Sequence, residues 1–292
     1  MISCFGLTKG FDEDGIRGLN FQVEKGQALG ILGPAGAGKS LTLRILMGQL
    51  RADAGSATIS GLDCWTRRPE IQALLGYSPA VPALETGASG EQYLRFAAIY
   101  YGGFNPQKAR NLGEKLDVVL TGAIRGMSAE ARKKLSLLAA LSLDRDALLL
   151  DEPFNSLSSM AKNALADILR EETQKGRVIL LTSHVLDEVR RACTHIAIIR
   201  KGQLVVNQPI ETLNLTRQKV YHITFETPDQ AASFAREWES AVELIGARAL
   251  VAIPASPQVL LKTLARYSVV DLVGGREEAE EGFLRFHGDD IV

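Results

Sequence analysis

Eight consecutive residues, Gly33 to Ser40, combine small, flexible positions with one cation and one hydroxyl. Their order is a glycine, four residues, then Gly38, Lys39 and Ser40, which is typical of a loop whose backbone N–H groups surround a polyphosphate. In such a loop the lysine contacts the β- and γ-phosphates and the hydroxyl binds Mg²⁺. The predicted nucleotide-binding residues are Gly33, Pro34, Ala35, Gly36, Ala37, Gly38, Lys39, Ser40 and Leu41.

The alternative interpretation of this segment is a glycine-rich turn without a chemical role. The flanking sequence disfavours it, because the apolar stretch Ala28–Leu32 precedes the loop and a helical pattern starts at Leu41. A strand before and a helix after are the context that a phosphate-binding loop requires. The helix N-terminus also contributes partial positive charge, which favours an anion.

Two adjacent acids follow another apolar stretch, residues 147–150. Asp151, at the predicted strand end, would hold Mg²⁺ together with Ser40, and Glu152 would orient or deprotonate the attacking water. A strand that ends in two acids is a weak pattern by itself. With the phosphate loop upstream, it predicts a nucleotide hydrolysis site in which Ser40 and Asp151 are metal ligands and Glu152 is catalytic.

A single histidine, His184, stands at the end of a third apolar stretch, residues 178–182. An isolated histidine is more often structural. Here the functional interpretation is favoured, because ligands of α/β proteins collect at the carboxyl edge of the sheet. We therefore predict a second catalytic residue, His184, that bonds the γ-phosphate and helps to place the water.

The elements that must position these residues are short apolar strands that alternate with helical stretches. The predicted strands are Ala28–Leu32 and residues 148–151, 178–182 and 196–199. This alternation predicts an α/β fold with a mainly parallel, helix-covered sheet. The carboxyl ends of parallel strands share one edge, so the phosphate loop, the acids and the histidine should meet there.

A helical insert separates the first two of these strands, with predicted helices at residues 91–101 and 107–116. Apolar residues recur along the first helix at helical spacing. Such a stripe usually packs on a neighbouring helix. We expect that packing for most of Tyr93, Phe96, Ala97 and Tyr100.

After Gly202 the pattern changes to that of a small α+β domain. The predicted strands are residues 220–225, 249–253 and 269–273, and the predicted helices are 228–239, 257–267 and 277–286. The boundary is expected near residue 216, which gives domains 1–215 and 216–292. No ligand site is predicted in the second domain, whose histidines, His222 and His287, are interpreted as solvated or structural. The acidic run 277–281 is expected to begin a helix.

The composition of the 292-residue chain is that of a folded globular protein, with 46% hydrophobic and 23% charged residues. Its apolar runs are strand-length, and its first residues lack a secretory signal pattern. Three scattered cysteines indicate reduced thiols in a cytosol. The net charge of −1 lacks the basic excess of a nucleic-acid binder, so no nucleic-acid partner is predicted.

In order and spacing, the motifs resemble the nucleotide-binding domain of the ABC (ATP-binding cassette) transporter superfamily over residues 1–215. Residues 5–9 and 23–26 look like the family's opening strands, 125–135 lie in its signature region, and 200–204 look like its closing turn. The resemblance implies a P-loop ATPase fold with a helical subdomain at about 80–140 and with ATP and Mg²⁺ as ligands. It also implies an adenine stacked on Phe11.

The short insert and the added C-terminal segment resemble the ATPase subunits of bacterial drug, antibiotic and lipid exporters. This resemblance implies an ATP-hydrolysing subunit that powers a membrane transporter from the cytoplasmic face, docked on a membrane-spanning permease subunit. It also implies a head-to-tail homodimer, or a heterodimer with a second ATPase subunit. There one domain's phosphate loop would face the other's signature residues, Ser128, Ala129 and Glu130.

Three departures from the family pattern bear on activity. Ala80 stands where the family has Gln or Glu and cannot coordinate Mg²⁺. Ala129 and Glu130 replace two signature glycines, which hinders close backbone approach and brings a carboxylate toward the nucleotide. Ser158 replaces an aspartate. A homodimer would then hydrolyse slowly, whereas a partner with an intact signature would complete this chain's own phosphate loop.

Two other functions stay open at this stage. One is a soluble, non-transport ABC ATPase, although no coiled-coil insert or second cassette is visible in the sequence. The other is an ATP-dependent switch with little hydrolysis, which Ala80 and the altered signature favour. Retention of Glu152 and His184 favours hydrolysis instead, because a protein that only binds nucleotide has no chemical need for both.

Overall fold

The computed structural model describes residues 1–11, 14–84, 87–102, 104–213, 219–238, 242–253 and 257–275. The chain divides into two compact units, Met1–Thr212 and Leu213–Val292, each with its own hydrophobic core. The domain boundary predicted near residue 216 falls among residues 214–218, which lie outside the described ones. The same is true of the helix predicted at 277–286, with the acidic run that begins it, and of His287.

The first unit contains two sheets built from ten described strands. Their bounds are β1 Ile2–Phe11, β2 Asp14–Val23, β3 Ala28–Leu32, β4 Ala54–Ile59, β5 Leu62–Asp63, β6 Leu75–Ser78, β7 Ala147–Leu150, β8 Val178–Ser183, β9 His195–Arg200 and β10 Gln203–Pro209. One sheet is antiparallel, in the order β2-β1-β4-β5. The other has the order β10-β9-β3-β8-β7-β6 and is parallel except for β10.

The described helices of this unit cover the larger sheet and form the insert. Their bounds are α1 Lys39–Leu46, α2 Arg68–Leu74, α3 Gly90–Tyr101, α4 Pro106–Lys115, α5 Ala129–Leu141, α6 Ser159–Gln174 and α7 Leu186–Ala192. Every residue of β3, β7 and β8 is buried. This explains the continuous apolar runs, because a parallel sheet covered on both faces has no solvent side to alternate with.

The second segment expected to resemble an opening strand, residues 23–26, is mostly a turn. Strand β2 ends at Val23, and the Gln27 N–H donates to the Glu24 carbonyl at 3.1 Å. Gly26 has a φ of 73°, in the left-handed region where a strand cannot continue. The turn delivers the chain directly into β3, the strand that leads to the phosphate loop.

The apolar stripe of α3 does not pack as expected. Ala97 is buried and Tyr93 partly buried, but Phe96 and Tyr100 are exposed and stack on each other, with ring centroids 5.6 Å apart. The expectation was wrong for these two aromatics. Helix α3 is oriented about its axis so that Leu94 and Ala97 face the protein interior. Phe96 and Tyr100 lie on a different face of the helix and therefore point to solvent.

A buried carboxylate joins α4 to α6. Glu172 accepts hydrogen bonds from Lys108 at 2.6 Å, Arg177 at 2.7 Å and Lys175 at 3.0 Å. Burial disfavours the ionised carboxylate, but the three cationic donors outweigh it and lower the pKa of Glu172 to about 2. The cluster therefore attaches α4, in the helical insert, to α6 through ion pairs as well as packing.

Replacing Glu172 by glutamine should lower the free energy of unfolding at pH 7 by about 3 kcal/mol, because the variant leaves the buried Arg177 without its counter-charge. The pKa of Glu172 is depressed in the folded state. Its contribution is therefore present above the unfolded value, about 4.3, and is lost as the pH falls toward about 2. Urea unfolding should show a constant deficit of the variant from pH 7 to about pH 5 and a shrinking deficit as the pH falls further to about 3.

The matched control for this prediction is Glu171→Gln, one residue earlier on α6. Glu171 pairs with Lys115, and both side chains are 46% exposed. An exposed pair contributes less than about 1 kcal/mol, so this variant should unfold almost like the unmodified chain. Equal losses in the two variants would contradict a stabilising role for the buried cluster.

The second unit is an antiparallel sheet with two described helices. Its elements are β11 Lys219–Phe225, α8 Pro228–Glu237, β12 Val242–Ile245, β13 Arg248–Ile253, α9 Gln258–Leu264 and β14 Val269–Gly275. The strand order is β12-β13-β11-β14. Phe225 and Phe234 meet in the core with ring centroids 5.2 Å apart. Both helices are shorter than predicted, and α8 ends because Trp238 adopts extended backbone.

None of the helices in the described parts of the chain combines the length and the apolar character needed to cross a membrane.

Candidate functional site

The phosphate loop joins β3 to α1 at the carboxyl edge of the larger sheet. Gly38 precedes α1 with a φ of 98°, and a Cβ there would lie 2.3 Å from Ile16 Cγ2. A Cβ on Gly33 would lie 2.4 Å from the Ile199 carbonyl oxygen. Both motif glycines are therefore required by backbone geometry. The first turn of α1 contains no acidic residue, which keeps its N-terminus favourable to an anion.

Lys39 is the first residue of α1, and its side chain is only 7% exposed. Its Nζ donates to the carbonyls of Gly33 at 2.7 Å and Pro34 at 3.1 Å, and lies 3.3 Å from Glu152 Oε1. The ammonium thus lies between the phosphate loop and the predicted catalytic acid.

Three oxygens meet beside this lysine. Ser40 Oγ donates to Asp151 Oδ1 at 3.0 Å, and Thr182 Oγ1 donates to the same carboxylate oxygen at 2.6 Å. Asp151 is buried. Hydroxyl and carboxylate oxygens are ligands that Mg²⁺ accepts, usually one or two from the protein with water and phosphate oxygens completing the shell. The predicted metal ligands, Ser40 and Asp151, therefore fit a nucleotide-bound Mg²⁺.

Across the described ranges of the chain, no three His, Cys, Asp or Glu side chains cluster closely enough to hold a metal ion.

Glu152 is the second residue after β7 and has a φ of 42°, in the left-handed region that residues other than glycine rarely adopt. Its N–H donates to Thr182 Oγ1 at 2.9 Å. Its Oε2 lies 2.9 Å from His184 Nδ1, while its Oε1 faces Lys39. The structure thus brings together the two predicted catalytic residues and the phosphate-loop lysine.

Thr182 is a positioning residue that sequence reasoning missed. One hydroxyl donates to Asp151 and accepts from the Glu152 N–H, so it orients both acids. Its side chain could have been singled out as a hydroxyl at the end of an apolar strand. Its partner could not, because only the sheet order places β8 beside β7.

Lys133, on α5, is a second residue without a predicted role. Its side chain is buried, and its Nζ donates to the backbone carbonyls of Pro79, Ala80 and Asp151. Burial lowers the pKa of Lys133 to about 8, against the opposing effect of the nearby Asp151 and Glu152 carboxylates. In the sequence, residues 132–134 form a basic run that is usually a solvated helix face, so no signal there indicates a buried lysine.

The predicted signature residues lie at the start of α5. Ser128 Oγ accepts from the Ala131 N–H at 3.1 Å and caps this helix. Ala129 is exposed. Their position opposite a second phosphate loop stays a prediction.

Glu130, the third signature residue, turns toward the start of α6. Its Oε1 accepts from Ser158 Oγ at 2.8 Å and from the Ser158 N–H at 3.2 Å, and lies 3.4 Å from Lys134 Nζ. These hydrogen bonds, from the Ser158 side chain first, hold the pKa of Glu130 below its usual value. The carboxylate expected to repel nucleotide is therefore already engaged within its own chain.

Three further positions singled out in the sequence are Leu41, Ala80 and Phe11. Leu41 is partly buried against the core of the first unit. Ala80 follows β6 and offers the site only its carbonyl. Phe11 ends β1, and its side chain lies outside the described part of the structure, so adenine stacking stays a prediction.

Residues 16–155 match the family model described as ABC transporter. The chain carries an ABC transporter ATP-binding domain. The family resemblance predicted from the motifs is therefore confirmed, and so is the P-loop α/β fold.

Relatives of this ATP-binding domain include exporter components. The Nod factor export ATP-binding protein I of Cupriavidus metallidurans is 31% identical over 192 residues, which are 64% of this chain and 63% of the relative. An uncharacterized ABC transporter ATP-binding protein of Bacillus subtilis strain 168 is 26% identical over 277 residues, 93% of this chain and 90% of the relative. The chain spans 60 to 64% of the length of the first Nod factor export relatives.

Solved structures share the fold of the ATP-binding domain. The structure of an ATP-binding subunit of an ABC transporter superposes with a TM-score of 0.66 at 24% identity, over 72% of this chain and 90% of that one. A dimeric ATP-binding cassette in a post-hydrolysis state with ADP and Pi gives 0.64 at 16% identity, over 72% of this chain and 99% of that one.

Proposed function

We propose that this chain binds and hydrolyses ATP and powers a membrane ABC transporter, as an exporter subunit at the cytoplasmic face. The observation that carries the proposal is the convergence on Glu152 of two different groups. Lys39 of the phosphate loop lies 3.3 Å from one carboxylate oxygen, and His184 lies 2.9 Å from the other. A triphosphate held by the loop would therefore end next to a base and a second polar group.

The reaction follows from these positions. N–H groups of the loop and the Lys39 ammonium bind the phosphates, and when bound at Ser40 and Asp151, Mg²⁺ supplies positive charge that offsets theirs. The oxygen of a water molecule bonds the γ-phosphorus while the bond from that phosphorus to the bridging oxygen breaks. The proton of the water passes to the Glu152 carboxylate, and ADP leaves with the bridging oxygen. His184 holds Glu152 and the water in place.

The proposed partners are a membrane-spanning permease subunit and a second ATPase domain, in a homodimer or a heterodimer. Two observations support export. Relatives at 31% identity are named Nod factor export ATP-binding proteins, and the second unit adds an α+β segment to the ATP-binding domain. Within the part of the chain that the structure describes, no helix is suited to cross a membrane, so a separate subunit would supply the path for cargo.

The test is nucleotide binding and turnover by the purified full chain. We expect Mg-ATP to bind and to be converted to ADP and phosphate, with little conversion when EDTA removes Mg²⁺. Equilibrium binding and phosphate release measure the two steps separately. A chain without affinity for Mg-ATP would contradict the proposal.

A second candidate is an ATP-dependent switch that hydrolyses little. It is favoured by Ala80 and by the replaced signature glycines, Ala129 and Glu130. The two candidates differ in a single-turnover incubation with excess protein. Retained ADP indicates a slow ATPase, whereas retained, unchanged ATP indicates a switch.

Replacing Ala129 and Glu130 together by glycine should raise the ATPase rate of a homodimer roughly 10-fold. Glycine lets the backbone of the opposite domain approach the γ-phosphate, and the change removes a carboxylate from that surface. Steady-state phosphate release at saturating ATP is the measurement. Thermal unfolding should be recorded in parallel, because each glycine near a helix start costs up to about 1 kcal/mol.

Two single variants separate the causes. Ala129→Gly tests backbone approach alone, and Glu130→Gln removes the charge while keeping the side-chain length. If the double variant is no faster than the unmodified chain, the altered signature does not limit the rate. The engagement of Glu130 with Ser158 would then be the reason.

A further inference from the structure

We infer that Lys133 is a positioning residue of the ATPase site: its buried ammonium fastens the loop at Pro79 and Ala80 to the end of β7 and so fixes Asp151 and Glu152. The inference rests on the proposed ATP hydrolysis. Helix α5 begins at the signature residues, which are predicted to face a second domain. Through Lys133, the same helix also contacts the acidic pair of its own chain.

The geometry of the ammonium leaves no donor unused. Lys133 Nζ donates to the carbonyl oxygens of Pro79 at 2.8 Å, Asp151 at 3.0 Å and Ala80 at 3.2 Å. A lysine ammonium has three N–H donors. Three acceptors from two separate segments therefore saturate it, and any shift of the loop or of β7 breaks at least one bond.

Lys133 hydrogen-bonds to the backbone of the acidic pair, Asp151 and Glu152. The Asp151 carbonyl belongs to the peptide unit that links Asp151 to Glu152, whose N–H is held from the other side by Thr182 Oγ1 at 2.9 Å. Glu152 keeps a φ of 42° at this point. An unfavourable backbone conformation persists only where its surroundings hold it. Lys133 and Thr182 hydrogen-bond to the two ends of that peptide unit and so hold its orientation.

Charge adds a second effect. Asp151 and Glu152 are adjacent acidic side chains, and a lysine faces them from each of two sides. Lys39 faces Glu152 from the phosphate loop, at 3.3 Å. Lys133 interacts electrostatically with both acids from the side of α5. A neutral side chain could reach a carbonyl but would not supply this charge.

The connection made by Lys133 also involves Ala80, in the loop after β6. The family resemblance places a glutamine or glutamate here, and alanine offers no side-chain donor or ligand. In this chain the same residue is held through its carbonyl by Lys133. The connection between loop and acids thus runs through the backbone and one buried cation.

The experiment compares Lys133→Met and Lys133→Gln with the control Lys108→Met in the full chain. Methionine keeps the length and apolar stem of lysine, and glutamine keeps a donor without the charge. Lys108 pairs with the buried Glu172, away from the phosphate loop, so its loss should destabilise the fold without touching the site. Three quantities are measured: single-turnover hydrolysis, the Kd for Mg-ATP, and hydrogen exchange of the amides of Asp151 and Glu152, which donate to the Ser78 carbonyl and to Thr182 Oγ1.

Lys133→Met should slow hydrolysis on the order of 10- to 100-fold, because displaced catalytic groups lose rate steeply. The Kd should change less than about 3-fold, since the phosphate loop is untouched. Exchange of the Asp151 and Glu152 amides should accelerate. Lys133→Gln should fall between the unmodified chain and methionine, whereas Lys108→Met should keep the hydrolysis rate despite a comparable loss of thermal stability.

Unchanged hydrolysis in Lys133→Met beside an active unmodified chain would overturn the inference, as would an equal loss of rate in Lys108→Met. If the unmodified chain itself does not hydrolyse ATP, the proposed function fails instead. Hydrogen exchange then still reports on the connection made by Lys133: unchanged protection of the Asp151 and Glu152 amides in both Lys133 variants would overturn the inference independently.

Discussion

Glu152→Gln should reduce ATP hydrolysis at least 100-fold while Mg-ATP still binds. Glutamine has nearly the same shape and can still bond to His184, but it cannot take the proton of the attacking water. General-base catalysis typically contributes a factor of about 10² to 10⁴. Phosphate release under single-turnover conditions measures the loss, and equilibrium binding of Mg-ATP should give a Kd within about 3-fold of the unmodified chain.

The control for this variant is Glu171→Gln, which makes the same chemical change on the exposed face of α6. It should hydrolyse ATP at the unmodified rate. Hydrolysis that survives in Glu152→Gln would show that the water is activated by another group. A parallel loss of nucleotide binding would show that Glu152 holds the site together instead of acting as its base.

Lys39→Ala should weaken Mg-ATP binding by on the order of 100-fold. The ammonium already lies at the loop, bonded to the carbonyls of Gly33 and Pro34, and it would provide charge-assisted hydrogen bonds to the phosphates. Losing such bonds costs about 3 kcal/mol, which corresponds to that factor in Kd. Calorimetric titration with Mg-ATP is the measurement, and hydrolysis at subsaturating ATP should fall in parallel.

Lys25→Ala is the matched control, because Lys25 is an exposed lysine in the turn before β3, outside the segment Gly33–Ser40. It should bind Mg-ATP like the unmodified chain. Thermal unfolding must accompany the titration, since Lys39 is buried beside Glu152 and its removal leaves that carboxylate with one fewer cation. Undiminished affinity in a folded Lys39→Ala variant would refute the assignment of Gly33–Ser40 as the nucleotide site.

The phosphate loop could be predicted from the sequence because its chemistry is contiguous. Eight neighbouring residues supply the glycines, the lysine and the hydroxyl, and the backbone that they dictate needs few distant contacts. The acids and His184 could be predicted nearly as well. Each follows a short apolar run that is typical of a buried strand, and parallel strands bring their carboxyl ends to one edge.

The antiparallel sheet of the first unit was harder to predict. Strand β1 changes register between Cys4 and Leu7 and again between Leu7 and Lys9. Such irregularities interrupt the period-two alternation that identifies a half-buried strand. The prediction that Phe96 and Tyr100 of α3 are packed was wrong for a related reason. Periodicity identifies an apolar stripe on a helix, but it does not say which face of the helix packs on the protein.

By itself, therefore, the sequence predicted the phosphate loop, the acids and the histidine at the ends of apolar strands, and the α/β fold, because each prediction depends on residues near one another in the chain. Only the tertiary structure decided that Thr182 orients both acids, that Lys133 reaches the same backbone from α5, and that Glu130 bonds to Ser158. Those contacts join residues that are distant in sequence. Strand order and helix rotation create them, and neither is encoded in a local pattern.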